Sequence, residues 1–199
     1  MLKTIGNQFK QPSGFLGRVI SALMKKGNSK AYDKLIQLME IKENEHLLEI
    51  GYGHGLGIER ILSKINCNIS GIDFSELMFK EASKRNKKYI EAGNVELHFG
   101  NFLDFEIQPN QYNIIYCTNV VYFWDELTKP FSKIKNGLKE NGQFCFYMAH
   151  HEDLERMKFT KDGIFNKYTI EHVVDKLKLS GFENIDYQHD KGYYVKCKK

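Results

Sequence analysis

The sequence is short of arginine. Of its 29 basic residues only Arg18, Arg60, Arg85 and Arg156 are arginine; the rest are lysine. Guanidinium groups read phosphate and guanine through paired contacts, whereas lysines act as solvated point charges. The net charge of +4 therefore does not mark a nucleic-acid partner, and none is expected. Cysteine is sparse too: Cys67, Cys117, Cys145 and Cys197 stand far apart and form no C-x-x-C. That spacing argues against a disulfide framework and against zinc, so no metal is expected and a reducing, cytoplasmic setting fits. Cys117 and Cys145 fall inside apolar runs, where a thiol behaves as a small hydrophobe. No run approaches the ~18 apolar residues that span a bilayer, and MLKTIGNQFK has no apolar signal segment. No membrane partner is expected. Internal repeats and low-complexity tracts are also missing.

What remains is 199 residues of ordinary composition, 42% hydrophobic and 27% charged, enough for one well-cored domain. Phe15, Leu16, Val19, Ile20 and Leu23 recur at helical spacing behind Ser13 and predict a helix from Ser13 to Lys26. Tyr32, Leu35, Ile36 and Met39 share one face of a second helix after a break at Gly27 and Asn28. Residues 1–28 thus read as a helical appendage, and 29–199 as a core. Alternation follows: strand HLLEI, a helix from Gly55 to Ile65, strand NISGID, and a long helix from Ser75 to Glu91. Then come strand NVELHF, a loop to Asn110, strand YNIIYCTN, a helix near Pro130 to Lys139, and strand GQFCFYMA. A helix from Thr169 to Ser180 precedes FENIDYQ and YYVKCK, a hairpin turning at DKG. Five strand–helix alternations and a hairpin predict a Rossmann-like, doubly wound α/β fold. Its seven-stranded sheet is mostly parallel, with one antiparallel edge strand.

The run LLEIGYGHGLGIERIL places Gly51, Gly53, Gly55 and Gly57 at every second position, where a strand passes into a helix. Glycines let the backbone take positive φ and let another body come close. Ligands of such sheets bind beyond the strand carboxyl ends. Free N–H groups and the helix dipole there favour an anion. Asp73 ends the next strand and can accept both hydroxyls of a ribose. Together these features indicate a nucleoside cofactor. A nicotinamide-dependent oxidoreductase needs G-x-G-x-x-G, but the sixth positions are Leu56 and Ile58.

The pattern present, E-x-G-x-G-x-G from Glu49 to Gly55, resembles the first motif of class I S-adenosylmethionine-dependent methyltransferases. GIDFSELMFKEA, FGNFLDF and YNIIYCTNVVYFW are similar to the second, third and fourth motifs. KNGLKENGQFCFY and the closing hairpin match the segments that follow, and KQPSGFLGR resembles the entry segment of small bacterial members. The resemblance implies a methyl transferase using S-adenosylmethionine, releasing S-adenosylhomocysteine, and acting on a small-molecule acceptor. It implies that Gly51, Gly53 and Gly55, with Tyr52 among them, pass beneath the methionine part and offer it N–H groups. Glu49 would orient that loop or accept from the amino group. Asp73 would hold the ribose, Phe74 and Phe102 the two faces of adenine, and Asn101 the adenine amino group. Asn119 would lie at the sulfonium end.

Other residues leave several readings open. Gly57 suits close strand–helix packing. His54 either points away from the bend or touches the ligand. His150 and His151 end the fifth strand and, with Tyr122, are the candidate bases. Tyr122, Phe123 and Trp124 line the acceptor side or pack under the following helix. NVVY lacks both prolines of the DNA-methylating N-P-P-Y motif. Gln11 to Arg18, with Gly14 and Gly17 as hinges, is a candidate lid. A non-catalytic module binding S-adenosylmethionine or another nucleoside is the alternative function. The acceptor, its reacting atom and the oligomeric state are not legible.

Overall fold

HLLEI and YNIIYCT are apolar on both faces, as strands buried between two helical layers must be, and they form the middle of the sheet. The computed structural model describes residues 8, 10–14, 31–160 and 163–199. Its strands are β1 (His46–Ile50), β2 (Asn68–Asp73), β3 (Val95–Phe99), β4 (Tyr112–Thr118), β5 (Leu138–Met148), β6 (Glu183–His189) and β7 (Tyr193–Lys198). They lie in the order β3-β2-β1-β4-β5-β7-β6. β1 pairs in parallel with β2 and β4, setting Ile50 beside Ile72 and Cys117. The strand order reverses between β1 and β4, so their carboxyl ends diverge and leave a crevice.

Alternate residues of each strand face opposite layers. Leu48, Ile50, Cys117, Phe144 and Phe146 join Phe131 and Ile134 of α5 (Thr128–Gly137) and Val173 and Leu177 of α7 (Ile170–Leu179) in one buried cluster. Leu47, Ile69, Ile114 and Tyr116 face the other way. They meet Leu35 and Met39 of α1 (31–39), Ile58 and Ile61 of α2 (Leu56–Leu62), and Ala82 of α3 (Glu76–Arg85). Each fully buried Leu, Ile or Phe contributes roughly 1.5–3 kcal/mol, so the sheet holds both layers in place. All four cysteines are buried free thiols. No described helix is long and apolar enough to cross a membrane.

The fold class agrees with the sequence, and the differences are local. The reversed strand is not at the edge: β7 lies between β5 and β6, antiparallel to both. The helix expected from Ser75 to Glu91 breaks at Asn86 into α3 and α4 (Lys87–Glu91). There the Asn86 amide turns back to donate to the carbonyls of Gly55 and Ala82. The link between β3 and β4 has no helix, so only four of the five alternations carry one. The rim beyond β5 adds the short α6 (His151–Arg156), which no apolar periodicity announced. The helix expected over Ser13–Lys26 lies outside the described residues beyond Gly14.

Candidate active site

A cavity of about 320 Å³ opens at the carboxyl ends of β1, β2 and β4. The bend after β1 forms its floor. Gly51, Gly53 and Gly55 all have positive φ, at 72°, 53° and 75°, but their missing side chains serve different purposes. A Cβ on Gly51 would stand 2.6 Å from Val120 Cγ2, and one on Gly55 would overlap the Asn86 amide and Ala82. One on Gly53 would meet nothing within 4 Å. Only Gly53 therefore leaves its bare side to the cavity, while its neighbours are bare to let the protein close on itself.

The amides of the bend are engaged within the protein. Gly51 donates to the Ile72 carbonyl at 2.8 Å, Gly55 to the Tyr52 carbonyl at 2.9 Å, and Gly53 to Asp73 Oδ2 at 2.9 Å. The expectation that these three N–H groups would be offered to a ligand carboxylate is corrected by this geometry. Arg85 and Asn86 hold the bend from the other side through the carbonyls of His54 and Gly55. The bend is thus rigid before any ligand arrives.

Asp73 closes β2 and faces the cavity at 8% exposure. Oδ1 accepts from the Ser75 amide at 2.9 Å, and Oδ2 from Gly53. Each oxygen keeps a second lone pair. Burial pushes its carboxyl up to about 6, against the lowering pull of those two amides.

The structure brings Gly51, Gly53, Asp73, Phe74, Asn101, Phe102 and Asn119 together around the cavity. Glu49, Tyr52 and Gly55 lie behind its wall. Glu49 is fully buried under the bend and takes a 3.0 Å hydrogen bond from the Tyr116 hydroxyl on Oε2. Its Oε1 points at Gly57, where a Cβ would stand 2.9 Å away. Burial raises its carboxyl to about 8, with the Tyr116 and Tyr32 hydroxyls opposing the rise. Tyr52 is also fully buried, donating to the His98 carbonyl and packing on Gly71. Gly57 has no room for a side chain between Tyr32 and Glu49, as close packing requires.

The candidate bases do not reach the cavity lining. Tyr122 is buried against the rings of Phe123 and Phe165, and burial drives its phenol well above the usual range. His150 stacks on Tyr193 and meets His189 edge-on. His151 Nδ1 lies 2.6 Å from the Lys167 carbonyl. Of the aromatic run, Phe123 and Trp124 line the cavity instead. Asn119 takes a left-handed φ of 60° while its amide donates to the Tyr147 carbonyl. Such backbone strain persists only where the surroundings impose it.

Several lining residues were not foreseen. Lys10, Thr118 and Asp125 belong to it without having been singled out, and Pro12 joins it from the segment read as a lid. Lys10 and Pro12 come from the N-terminal segment, which is tied down at two points. Gln11 donates to the Phe74 carbonyl at 3.0 Å, and the Ser75 hydroxyl donates to the Pro12 carbonyl at 2.7 Å. Among the described residues no group of three or more His, Cys, Asp or Glu is placed to hold a metal.

A methyltransferase-domain family model matches residues 47–142, from β1 into β5. An uncharacterized methyltransferase of Bacillus subtilis, YdaC, is 27% identical over 77% of this chain and 80% of its own length. The chain is thus similar to class I S-adenosylmethionine-dependent methyltransferases along most of its length. It is also 26% identical to the phosphoethanolamine N-methyltransferase of Plasmodium falciparum, over 80% of the chain and 61% of that relative. Haemonchus contortus phosphoethanolamine N-methyltransferase 2, solved with S-adenosyl-L-methionine, superposes with a TM-score of 0.71 at 20% identity. That match covers 80% of this chain and 38% of the nematode chain. A structure of a putative S-adenosylmethionine-dependent methyltransferase from Listeria monocytogenes gives 0.70 at 16% identity, over 86% of this chain and 99% of that one.

Proposed function

We propose that this chain transfers a methyl group from S-adenosylmethionine to a small-molecule acceptor. The observation that carries the reading is Asp73, a buried carboxylate that faces the cavity with free lone pairs directly beside the open side of Gly53. Phe74, Asn101 and Phe102 line the same cavity; in this reading the two rings cover the faces of the adenine and Asn101 meets its amino group. Asn119, across the rim at the end of β4, borders the reacting end. When bound, the sulfonium supplies an already activated methyl group. The chain's own work is then to align, and alignment alone is worth roughly 7–11 kcal/mol. We assign the segment that includes Lys10 and Pro12, and residues 1–28 with it, the role of a lid that excludes water. Asp73 must be ionised to accept two hydroxyls, so donor affinity falls as pH drops through about 6.

A non-catalytic nucleoside-binding module is the second reading. It draws on the absence of Tyr122, His150 and His151 from the cavity wall among the described residues. Two measurements separate the readings. Calorimetric titration is expected to show one-to-one binding of S-adenosylhomocysteine and none of NAD; the reverse result removes the donor assignment. Incubation with methyl-labelled donor and a metabolite extract is expected to give a labelled small molecule. Binding without any label transfer favours the module.

A further inference from the structure

The acceptor end of the cavity carries two charges that form no ion pair among the described residues. Among the described residues three charged ones line the cavity: Lys10, Asp73 and Asp125. Asp73 is already bonded to two backbone amides and stands two strands away from β4, a separation of ~10 Å. Lys10 and Asp125 flank the other end. The Lys10 ammonium lies 6.0 Å from the centre of the Phe123 ring, and Asp125 follows Trp124 directly in the chain. Among the described residues neither Lys10 nor Asp125 belongs to an ion pair. Among the described residues, then, a cation and an anion that form no ion pair border one apolar, aromatic pocket end.

The geometry points to an acceptor that is a small amine carrying an acidic group. Its ammonium end is received by Asp125, and its carboxylate or phosphate by Lys10, which the Phe123 ring holds at the cavity. The inference rests on the donor assignment proposed above and adds the class of molecule that meets the methyl group. Size agrees with small ligands: about 320 Å³ is near the floor of the ~300–1,000 Å³ usual for ligand sites. Chemistry agrees as well. None of the candidate bases Tyr122, His150 and His151 lines the cavity, so the nucleophile must react without them. An ammonium that loses one proton to water at the mouth meets that condition. The free nitrogen lone pair attacks the methyl carbon, and the N–C bond forms as the C–S bond breaks. The bonding pair goes to sulfur, leaving a neutral thioether and a methylated ammonium.

The experiment uses the full chain, methyl-labelled S-adenosylmethionine, and β-alanine, phosphoethanolamine, ethanolamine, catechol and 2-mercaptoethanol as probes. Label is expected in β-alanine or phosphoethanolamine, the stronger one showing whether a carboxylate or a phosphate is read. The kcat/KM for that probe should exceed the value for ethanolamine at least tenfold and rise with unit slope between pH 6 and 8. Lys10→Met should bring the ratio down towards one, and Asp125→Asn should raise KM about fivefold, both with unaltered affinity for S-adenosylhomocysteine. Label only in catechol or 2-mercaptoethanol, or no amine labelled by protein that binds S-adenosylhomocysteine, overturns the proposal. So does a ratio untouched by Lys10→Met, or a loss of S-adenosylhomocysteine affinity in that variant. Failure of the wild-type protein to bind S-adenosylhomocysteine strikes the donor assignment instead.

Discussion

The two ends of the cavity are built by different means. Around β1 and β2 the wall is main chain: a bend of positive-φ glycines, each amide engaged, pinned by Asp73 on one side and by Arg85 and Asn86 on the other. Around β4 it is side chain: Phe123, Trp124, Asp125 and, from the far N-terminal segment, Lys10. Backbone geometry tolerates few residue types, so the first end keeps one form. Side chains can be exchanged without moving the scaffold, so the second end is free to suit a particular acceptor.

That contrast can be tested at graded sensitivity. Asp73→Ala should have the largest effect, lowering S-adenosylhomocysteine affinity more than about 100-fold (~3 kcal/mol), since two charged hydrogen bonds are lost; an unchanged calorimetric Kd would make the main-chain end irrelevant to the ligand. Gly55→Ala comes next. It meets both a left-handed φ and the Asn86 contact, so denaturant unfolding should show a loss of about 2–3 kcal/mol. Gly53→Ala, strained but unobstructed, should lose only about 1 kcal/mol while weakening the donor. Equal losses of stability in both variants would erase the distinction between the glycines.

Glu49→Gln probes the buried acid under the bend. A carboxyl raised from 4.5 to about 8 binds its proton more tightly in the folded state, so wild-type stability falls as pH rises from 4.5 to about 8. The advantage of Glu49→Gln should therefore grow by about 1.4 kcal/mol per pH unit across that window, and a pH-independent difference would contradict a proton held there. The smallest effect belongs to the lid. Gln11→Ala removes one exposed hydrogen bond to Phe74 and should speed S-adenosylhomocysteine release by about threefold in stopped flow, near the ~0.5–1 kcal/mol of a single such bond.

The same contrast explains what could be read in advance. Alternating apolar runs gave the strands and their faces, and the glycine spacing with Asp73 located the main-chain end, because those features are local in the chain. Glu49, Tyr52 and Gly55 carry the motif but stand behind the wall, since a motif records what the bend needs as well as what a ligand needs. The N–H groups of Gly51 and Gly53 were misjudged because their acceptors, Ile72 and Asp73, lie on another strand, while Gly55 turns back to Tyr52 within the bend. Lys10 and Asp125 were missed because their place in one cavity lining depends on a tertiary contact, the docking of Pro12 on Ser75, that no periodicity encodes. The break at Asn86 follows from a side chain reaching 31 residues back to Gly55.

The placement of β7 bears on how the chain is assembled as it is made. β6 emerges first yet has no partner in the sheet except β7, so during synthesis it must wait, unpaired, until Tyr193–Lys198 leave the ribosome. The hairpin then has to form and dock on β5 in one late step. A translational pause or a nick within Asp190–Gly192 would leave the outer face of β5 as a bare, sticky edge, a vulnerability unrelated to the cavity.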